Sequence, residues 1–78
     1  MGADTLILLL RYYMSIISKN LRKMRKDKGL SQEKLARLSD VANNTIVKIE
    51  AGKNQNPTLD TLKKIAKALG VSLDELSN

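Results

Sequence analysis

The chain lacks the residue types on which many functional sites depend. Among its 78 residues there is no cysteine, histidine, tryptophan or phenylalanine. Without cysteine, disulfides and thiol chemistry are excluded, and without histidine the commonest metal ligand and general acid–base group is missing. No phosphate-cradling glycine loop and no catalytic carboxylate pair is visible either. We therefore expect no enzymatic activity, no metal and no cofactor.

Large aromatic side chains for a core are also scarce, since aromatic residues make up only 3% of the chain. A core must then consist of Leu, Ile, Val and Ala with some Met. A short chain without disulfides or a metal needs close helix packing or a partner subunit. These limits allow a compact helical bundle with little core to spare, which is compatible with a dimer.

What the chain has in excess is positive charge. Its 14 Lys and Arg residues outnumber 8 Asp and Glu residues, which gives a formal net charge of +6. Such an excess favours a polyanionic partner, either nucleic acid or an acidic membrane surface. A single exposed lysine is ordinarily a solvated charge, so the excess of positive charge indicates a nucleic-acid partner only together with a nucleic-acid-binding motif.

Residues 30–52, LSQEKLARLSDVANNTIVKIEAG, contain two short helical patterns joined by a tight turn. Ser31 stands just before the first pattern, where its hydroxyl can cap backbone N–H groups. The side chains of this helix that are predicted to face inward are Leu35, Ala36 and Leu38. The pattern breaks at Ser39 and Asp40. A connection of about three or four residues suits a sharply crossed helix pair.

The second of these helices carries polar side chains on the face that is not buried. Ile46 and Ile49 are predicted to face inward, and Gly52 to end the helix. At 3.6 residues per turn, the outer side then consists of Asn43, Asn44, Val47 and Lys48. Asparagine can bond both edge groups of adenine, and lysine can reach guanine or a phosphate. Asn43, Asn44 and Lys48 are therefore the candidate base readers of a helix in the major groove.

The residue spacing across most of the chain resembles the Cro/cI-type (Xre-type) family of helix-turn-helix regulators. The resemblance covers roughly Ile17 to Leu76. Its motifs are Leu-Ser-Gln at 30–32, Leu-Ala at 35–36, Val41, Thr45-Ile46, Ile49-Glu50, Gly52-Lys53, Pro57, Leu62, Ile65-Ala66, Ala68-Leu69-Gly70-Val71 and Leu73. It implies an all-α, five-helix, lambda-repressor-like bundle over residues 15–78. It also implies sequence-specific binding to double-stranded DNA by a homodimeric repressor or autoregulator.

The same resemblance implies roles for individual residues around the second helix of the motif. Arg25 and Glu50 would form a structural salt bridge between helix 1 and the end of the recognition helix. The residues expected to bond phosphate or brace a base reader are Gln32, Thr45, Lys53, Asn54 and Gln55. The residues expected in a dimer interface, in a segment where the family often pairs, are Val71, Leu73 and Leu76.

Two positions depart from the family pattern. Asp40 stands in the turn where the family often has glycine, and because Asp tolerates a left-handed backbone we expect the turn to be retained. Ala42 stands where the family often has a capping Ser or Thr. Either Asn43 provides the cap instead, or the helix start is weaker by about 1 kcal/mol.

The remaining helices are predicted from apolar periodicity and caps. Helix 1 is expected from about Ser15 to Lys28, with Ile17, Leu21 and Met24 inward and Gly29 as its stop. Thr58 is expected to open helix 4, which Gly70 closes. The inward residues of helix 4 are predicted to be Leu59, Leu62, Ile65, Ala66 and Leu69. Ser72 and Glu75 form the signature of a capping box for a short fifth helix, with Leu73 and Leu76 on one side of it.

Residues 1–14 lie outside the resemblance and form an apolar N-terminal arm or extension. Its apolar run, residues 6–10, is too short to span a bilayer, which needs about 20 such residues, and it makes a poor signal peptide. It could extend helix 1 backwards or form a strand, because a run of five does not decide. We expect it to be buried against the domain or a second subunit, with Leu6 and Leu10 as further dimer contacts. Alternatively, Met14 is the natural start and residues 1–13 are an upstream extension.

The main functional expectation is thus a cytoplasmic regulator whose partner is a DNA operator and not a membrane. The alternative is an antitoxin-like interaction module that binds a separate partner protein and contacts DNA only secondarily. A helical bundle without a DNA role is the third reading. The sequence does not separate the first two.

Overall fold

Five α-helices make up the protein in a computed structural model that describes residues 2–54 and 56–78. They are α1 (Ala3–Asp27), α2 (Gln32–Ser39), α3 (Asn43–Glu50), α4 (Leu59–Leu69) and α5 (Leu73–Ser77). No strand occurs in the described part of the chain. The expected all-α class, with five helices and the helix pair α2–α3, is confirmed.

The helix ends follow the local chemistry of the sequence. The hydroxyls of Ser31, Thr58 and Ser72 each accept a hydrogen bond from the backbone N–H three residues further on, at 3.0–3.1 Å. Ser72 and Glu75 complete the expected capping box. Asp40 has φ 57° and ψ 45°, so the left-handed turn between α2 and α3 is retained without glycine. Each hydroxyl cap stabilises its helix by about 1 kcal/mol.

The core lies where the apolar faces of the five helices meet. Its buried apolar members are Met14, Ile17, Leu21, Leu35, Ala36, Ile46, Ile49, Ile65, Ala66, Leu69 and Leu76. α2 packs against α3 and α4, while α1 packs against α3 and α5. α3 is therefore supported from behind by two helices, and its remaining face is left open.

Two leucines that were expected inside lie outside. Leu38 is 53% exposed, and Ser39 occupies the inner face of α2 in its place. The Ser39 hydroxyl donates to the carbonyl oxygen of Leu35 at 2.6 Å, so the helix's own backbone satisfies the buried polar group. Leu59 is 60% exposed. It is the first residue of α4, and Cα–Cβ bonds tilt toward a helix N-terminus, so its side chain projects past the end of the packed surface.

The N-terminal segment continues α1 backwards as helix, which settles the choice between helix and strand. Residues 3–13 of this helix, called the arm from here on, lie before Met14, the first buried residue in the part of the chain that the structure describes. All five apolar residues at 6–10 are 47–66% exposed. The expectation that they are buried against their own domain is therefore wrong. No helix within residues 2–54 and 56–78 is long and apolar enough to cross a membrane.

Candidate nucleic-acid interface

α3 has one face inside the core and one face in solvent. Ile46 and Ile49 are completely buried, as the periodicity predicted. The opposite side, called the reading face here, is exposed and consists of Asn43, Asn44, Val47 and Lys48. It presents two amides and an ammonium group, which are the groups that can bond base edges. Thr45 lies beside this face and is partly buried.

The start of α3 has no side-chain cap. Ala42 occupies the N-cap position with extended backbone, and it makes no side-chain hydrogen bond to the helix. Asn43 is already the first helical residue, and none of the hydrogen bonds among the described residues ties its amide to the helix N-terminus. Of the two expected alternatives, the weaker uncapped start is the one observed. Asn43 and Asn44 are both exposed to solvent.

An ion pair holds the far end of α3 against α1. Arg25 Nε and Nη2 donate to the two carboxylate oxygens of Glu50 at 2.6 and 2.9 Å, and Nη1 donates to the carbonyl oxygen of Leu30 at 2.7 Å. The Glu50 side chain is 4% exposed. The hydrogen bond to Glu50 raises the pKa of Arg25 above its ordinary value, while partial burial acts against it. This bidentate geometry fixes the orientation of α3 relative to α1.

Gln32 joins this ion pair. Its Nε2 donates to Glu50 Oε1 at 3.2 Å. The family resemblance implied that Gln32 would bond a phosphate and brace a base-reading side chain. In this structure it braces Glu50, the last residue of α3, so the carboxylate receives hydrogen bonds from both α1 and α2.

Sequence reasoning missed Ser18, a second support for α3. Ser18 is 6% exposed, and its hydroxyl lies 2.6 Å from the carbonyl oxygen of Ile49 and 2.8 Å from that of Met14. The hydroxyl thereby adds a side-chain hydrogen bond to a carbonyl in the last turn of α3, which also accepts from the backbone N–H of Gly52 at 3.1 Å. A serine inside the apolar stripe of α1 was the available signal, because a buried polar group needs a partner.

The α3–α4 loop folds back onto α3. The backbone N–H groups of Lys53 and Asn54 both donate to the carbonyl oxygen of Lys48, at 2.9 and 3.2 Å. Asn54 Oδ1 accepts from the backbone N–H of Asn56 at 3.2 Å. Lys53 is exposed beside the reading face. The expected phosphate contact Gln55 lies outside the described residues.

The expected dimer contacts differ strongly in their availability. Leu76 is 1% exposed and belongs to the core of its own chain, so it is not free to contact a partner. Val71 and Leu73 pack against that core and remain partly exposed. Leu6 and Leu10 are 66% and 57% exposed. Of the five candidates, the four that remain at least partly exposed, and so available to a second subunit, are Val71, Leu73, Leu6 and Leu10.

A family model described as Helix-turn-helix matches residues 21–76 of the chain. The chain is 38% identical over 61 residues to the uncharacterized HTH-type transcriptional regulator y4dJ of Sinorhizobium fredii, covering 78% of each chain. Over 61 residues it is also 38% identical to the cryptic phage CTXphi transcriptional repressor RstR of Vibrio cholerae, covering 78% of this chain and 54% of RstR. The chain thus spans only about half the length of RstR.

Solved structures show the same arrangement of helices. The restriction-modification controller protein C.AhdI of Aeromonas hydrophila superposes with a TM-score of 0.76 at 36% identity, over 81% of this chain and 94% of C.AhdI. The hypothetical transcription factor NHTF from Neisseria gives a TM-score of 0.80 at 32% identity, over 85% of this chain and 75% of that one. Sequence and structure comparisons therefore point to the same group of proteins.

Proposed function

Because the chain belongs to the helix-turn-helix family of DNA-binding transcriptional regulators, we propose that it represses transcription as a homodimer on a near-palindromic operator. The observation that carries this proposal is the two-sided α3. Ile46 and Ile49 are completely buried and anchor the helix in the core, while the reading face exposes amide and ammonium groups to solvent. A helix held in this way can enter the major groove without losing its own packing.

We assign the groups on α3 to bases and the surrounding groups to the backbone. The amides of Asn43 and Asn44 would bond adenine edges, and Lys48 would bond guanine. Lys53 and Asn54 would contact phosphates beside the groove, which positions the domain without reading sequence. The N-terminus of α2, beginning at Gln32, offers unpaired backbone N–H groups and a favourable dipole to a further phosphate.

The homodimer follows from the small number of base contacts that one domain can make. Two reading helices related by a two-fold axis would meet successive major grooves about 34–36 Å apart. Val71 and Leu73 supply the partly exposed apolar surface for that contact, and the arm supplies an accessory one. As a DNA-binding regulator, the protein would act in the cytoplasm.

Selection of bound duplexes from a random pool tests the proposal directly. We expect an enriched palindrome whose half-site centres are separated by one helical turn, about 10–10.5 base pairs. The full chain should bind the selected duplex more tightly than random DNA, typically by 10³-fold or more. A pool that shows no enriched sequence would contradict the proposal.

The exposed arm supports a second candidate function, an antitoxin-like module that binds a separate protein. An apolar helix surface of this kind suits a protein partner. Co-purification from the native host distinguishes the two. A stoichiometric second protein would favour the antitoxin, whereas a homodimer that purifies alone and binds its operator would favour the regulator.

A further inference from the structure

An open cleft of about 270 Å³ lies where α1 passes the end of α3. The residues that matter for its chemistry are Arg11, Ser15, Lys19 and Arg22 on α1, and Ala51 and Gly52 just after α3. The cleft lies outside the reading face, and its lining also includes the buried residues Met14 and Ser18 of α1. Its wall on α1 is almost entirely polar.

The cationic wall is a consequence of helical spacing. Arg11, Ser15 and Arg22 are separated by four and seven residues, so they lie along one side of α1, with Lys19 next to them. At a rise of 1.5 Å per residue, Arg11 and Arg22 mark a line about 16 Å long. A line of cations of this length matches an extended polyanion better than a small ligand.

The positive charge of this wall is not neutralised within the described structure. The ion pairs there join Arg25 with Glu50, Arg37 with Glu33, and Lys64 with Asp60, so none of them uses a cation of the cleft. The one acid lining the cleft is Glu50, whose carboxylate is nearly buried and is bonded by Arg25 and Gln32. Three cations therefore face one cleft without a counter-charge, and an anionic ligand would stabilise them.

The cleft lies next to the proposed DNA surface. Ala51 lies seven residues after Asn44 and four after Val47, so it is on the same side of the helix, and it is exposed. Lys53 and Asn54 come directly after Gly52 and are held to the end of α3 by their backbone hydrogen bonds. A DNA strand in contact with Lys53 and Asn54 would therefore lie close to the cleft.

We propose that this cleft binds DNA backbone phosphates flanking the bases that α3 reads, so that α1 supplies a second phosphate contact besides the α3–α4 loop. The inference rests on the proposed DNA binding. Arg22 and Arg11 can hold phosphate oxygens with two N–H groups each, and Lys19 acts as a point charge. The Ser15 hydroxyl can donate to the same oxygens. Such contacts carry no base information, so they raise affinity for operator and random DNA alike.

Two matched double variants test the cleft. The first, Lys19→Gln with Arg22→Gln, removes two cleft charges. The second, Lys63→Gln with Lys67→Gln, removes two exposed charges from α4, which does not line the cleft. Dissociation constants for operator and random duplexes are measured at several salt concentrations. We expect the cleft variant to reduce the slope of log K against log salt by about 1.8, or about 0.9 per phosphate.

The same slope change corresponds to a loss of affinity of up to about 60-fold at 0.1 M salt, on both duplexes. The α4 variant should change the slope much less. Adding Arg11→Gln to the cleft variant shows whether the contact reaches the arm, with a further reduction of about 0.9 expected. Melting temperatures should stay close to that of the unaltered chain, because the substituted residues are exposed.

A series of duplexes, each with a single neutral methylphosphonate at one flanking position, locates the contact. For the unaltered chain, one or two flanking positions outside the read bases should weaken binding, and in the cleft variant those positions should have no further effect. If the cleft and α4 variants change the slope equally, the effect is one of net charge and the inference is wrong. If the unaltered chain binds DNA without any salt dependence, the proposed function fails together with it.

Discussion

The first half of α1 is richer in apolar side chains than the second half, yet only the second half contributes to the core. In the second half Met14, Ile17 and Leu21 recur every three or four residues, and all three are buried. In the arm the five residues at 6–10 are consecutive. At 100° per residue they surround the helix completely, so no single surface can cover them. Periodicity, and not apolar content, decides which part of a helix becomes core.

Leucine truncation in each half is the strongest test of this comparison. Leu21→Ala should lower the free energy of unfolding by about 2–5 kcal/mol, because Leu21 is fully buried and its removal leaves a cavity. Leu8→Ala, at a position that is 64% exposed, should change it by no more than about 0.5 kcal/mol. Urea denaturation of the two variants measures both. A similarly large loss for Leu8→Ala would show that the arm is packed after all.

The ion pair between α1 and α3 is nearly buried, whereas the pair within α2 is exposed. Arg25→Ala would leave the Glu50 carboxylate unpaired at 4% exposure, and we expect a loss of about 3 kcal/mol in the free energy of unfolding. The matched control is Arg37→Ala, whose partner Glu33 is 72% exposed, where the loss should stay below about 0.5 kcal/mol. An Arg25→Ala variant with an unchanged melting temperature and no DNA binding would make Arg25 a phosphate contact instead.

The same ion pair predicts a weak dependence of stability on pH. Because the pKa of Arg25 is raised in the folded state, its contribution is present below the unfolded value. It is lost only as pH rises through the still higher folded value, in the strongly alkaline range. The stability difference between the unaltered chain and Arg25→Gln should therefore stay constant from pH 6 to pH 9. A difference that disappears within this range would contradict the assignment of the stabilising charge to Arg25.

Substitutions on the reading face should leave the fold intact while changing specificity. Asn44→Ala and Lys48→Ala should each weaken operator binding more than random-DNA binding, by about 1–3 kcal/mol per lost base contact. Lys53→Ala should weaken both about equally, because a phosphate contact carries no sequence information. Competition binding with the two duplexes measures the ratio. An unchanged ratio for Asn44→Ala and Lys48→Ala would mean that the reading face is wrongly assigned.

Removal of the arm should have the smallest effect on the fold. A chain that starts at Met14 keeps every residue of the apolar core, so its melting temperature should stay within a few degrees. Sedimentation of both chains then reports the assembly. We expect both to dimerise, the shortened one more weakly. If only the shortened chain is monomeric, the arm is the main interface. If both chains are monomeric and bind single half-sites without cooperativity, the proposed dimer is wrong.

Local features were predictable because their causes lie within a few residues. The hydroxyl caps at Ser31 and Thr58 and the left-handed Asp40 depend only on neighbouring backbone groups. The two-sided character of α3 follows from the spacing of Ile46 and Ile49 alone. The errors at Leu38 and Leu59 have a different origin. Ser39 takes the inner face of α2 in place of Leu38, and Leu59 is the first residue of α4, so packing between helices decides whether each leucine is covered.

The amino-acid sequence was sufficient to predict the set of helices, their caps and the polar face of α3, since helix periodicity and capping act over short distances. Most contacts between distant groups became visible only in the folded chain. It brings Gln32 to the Arg25–Glu50 pair that the family resemblance had implied, places the Ser18 hydroxyl on the end of α3, and gathers the cations of α1 beside Gly52. It also commits Leu76 to the core of its own chain. These pairings depend on how the helices cross, and helix crossing is set by side-chain packing across the whole core.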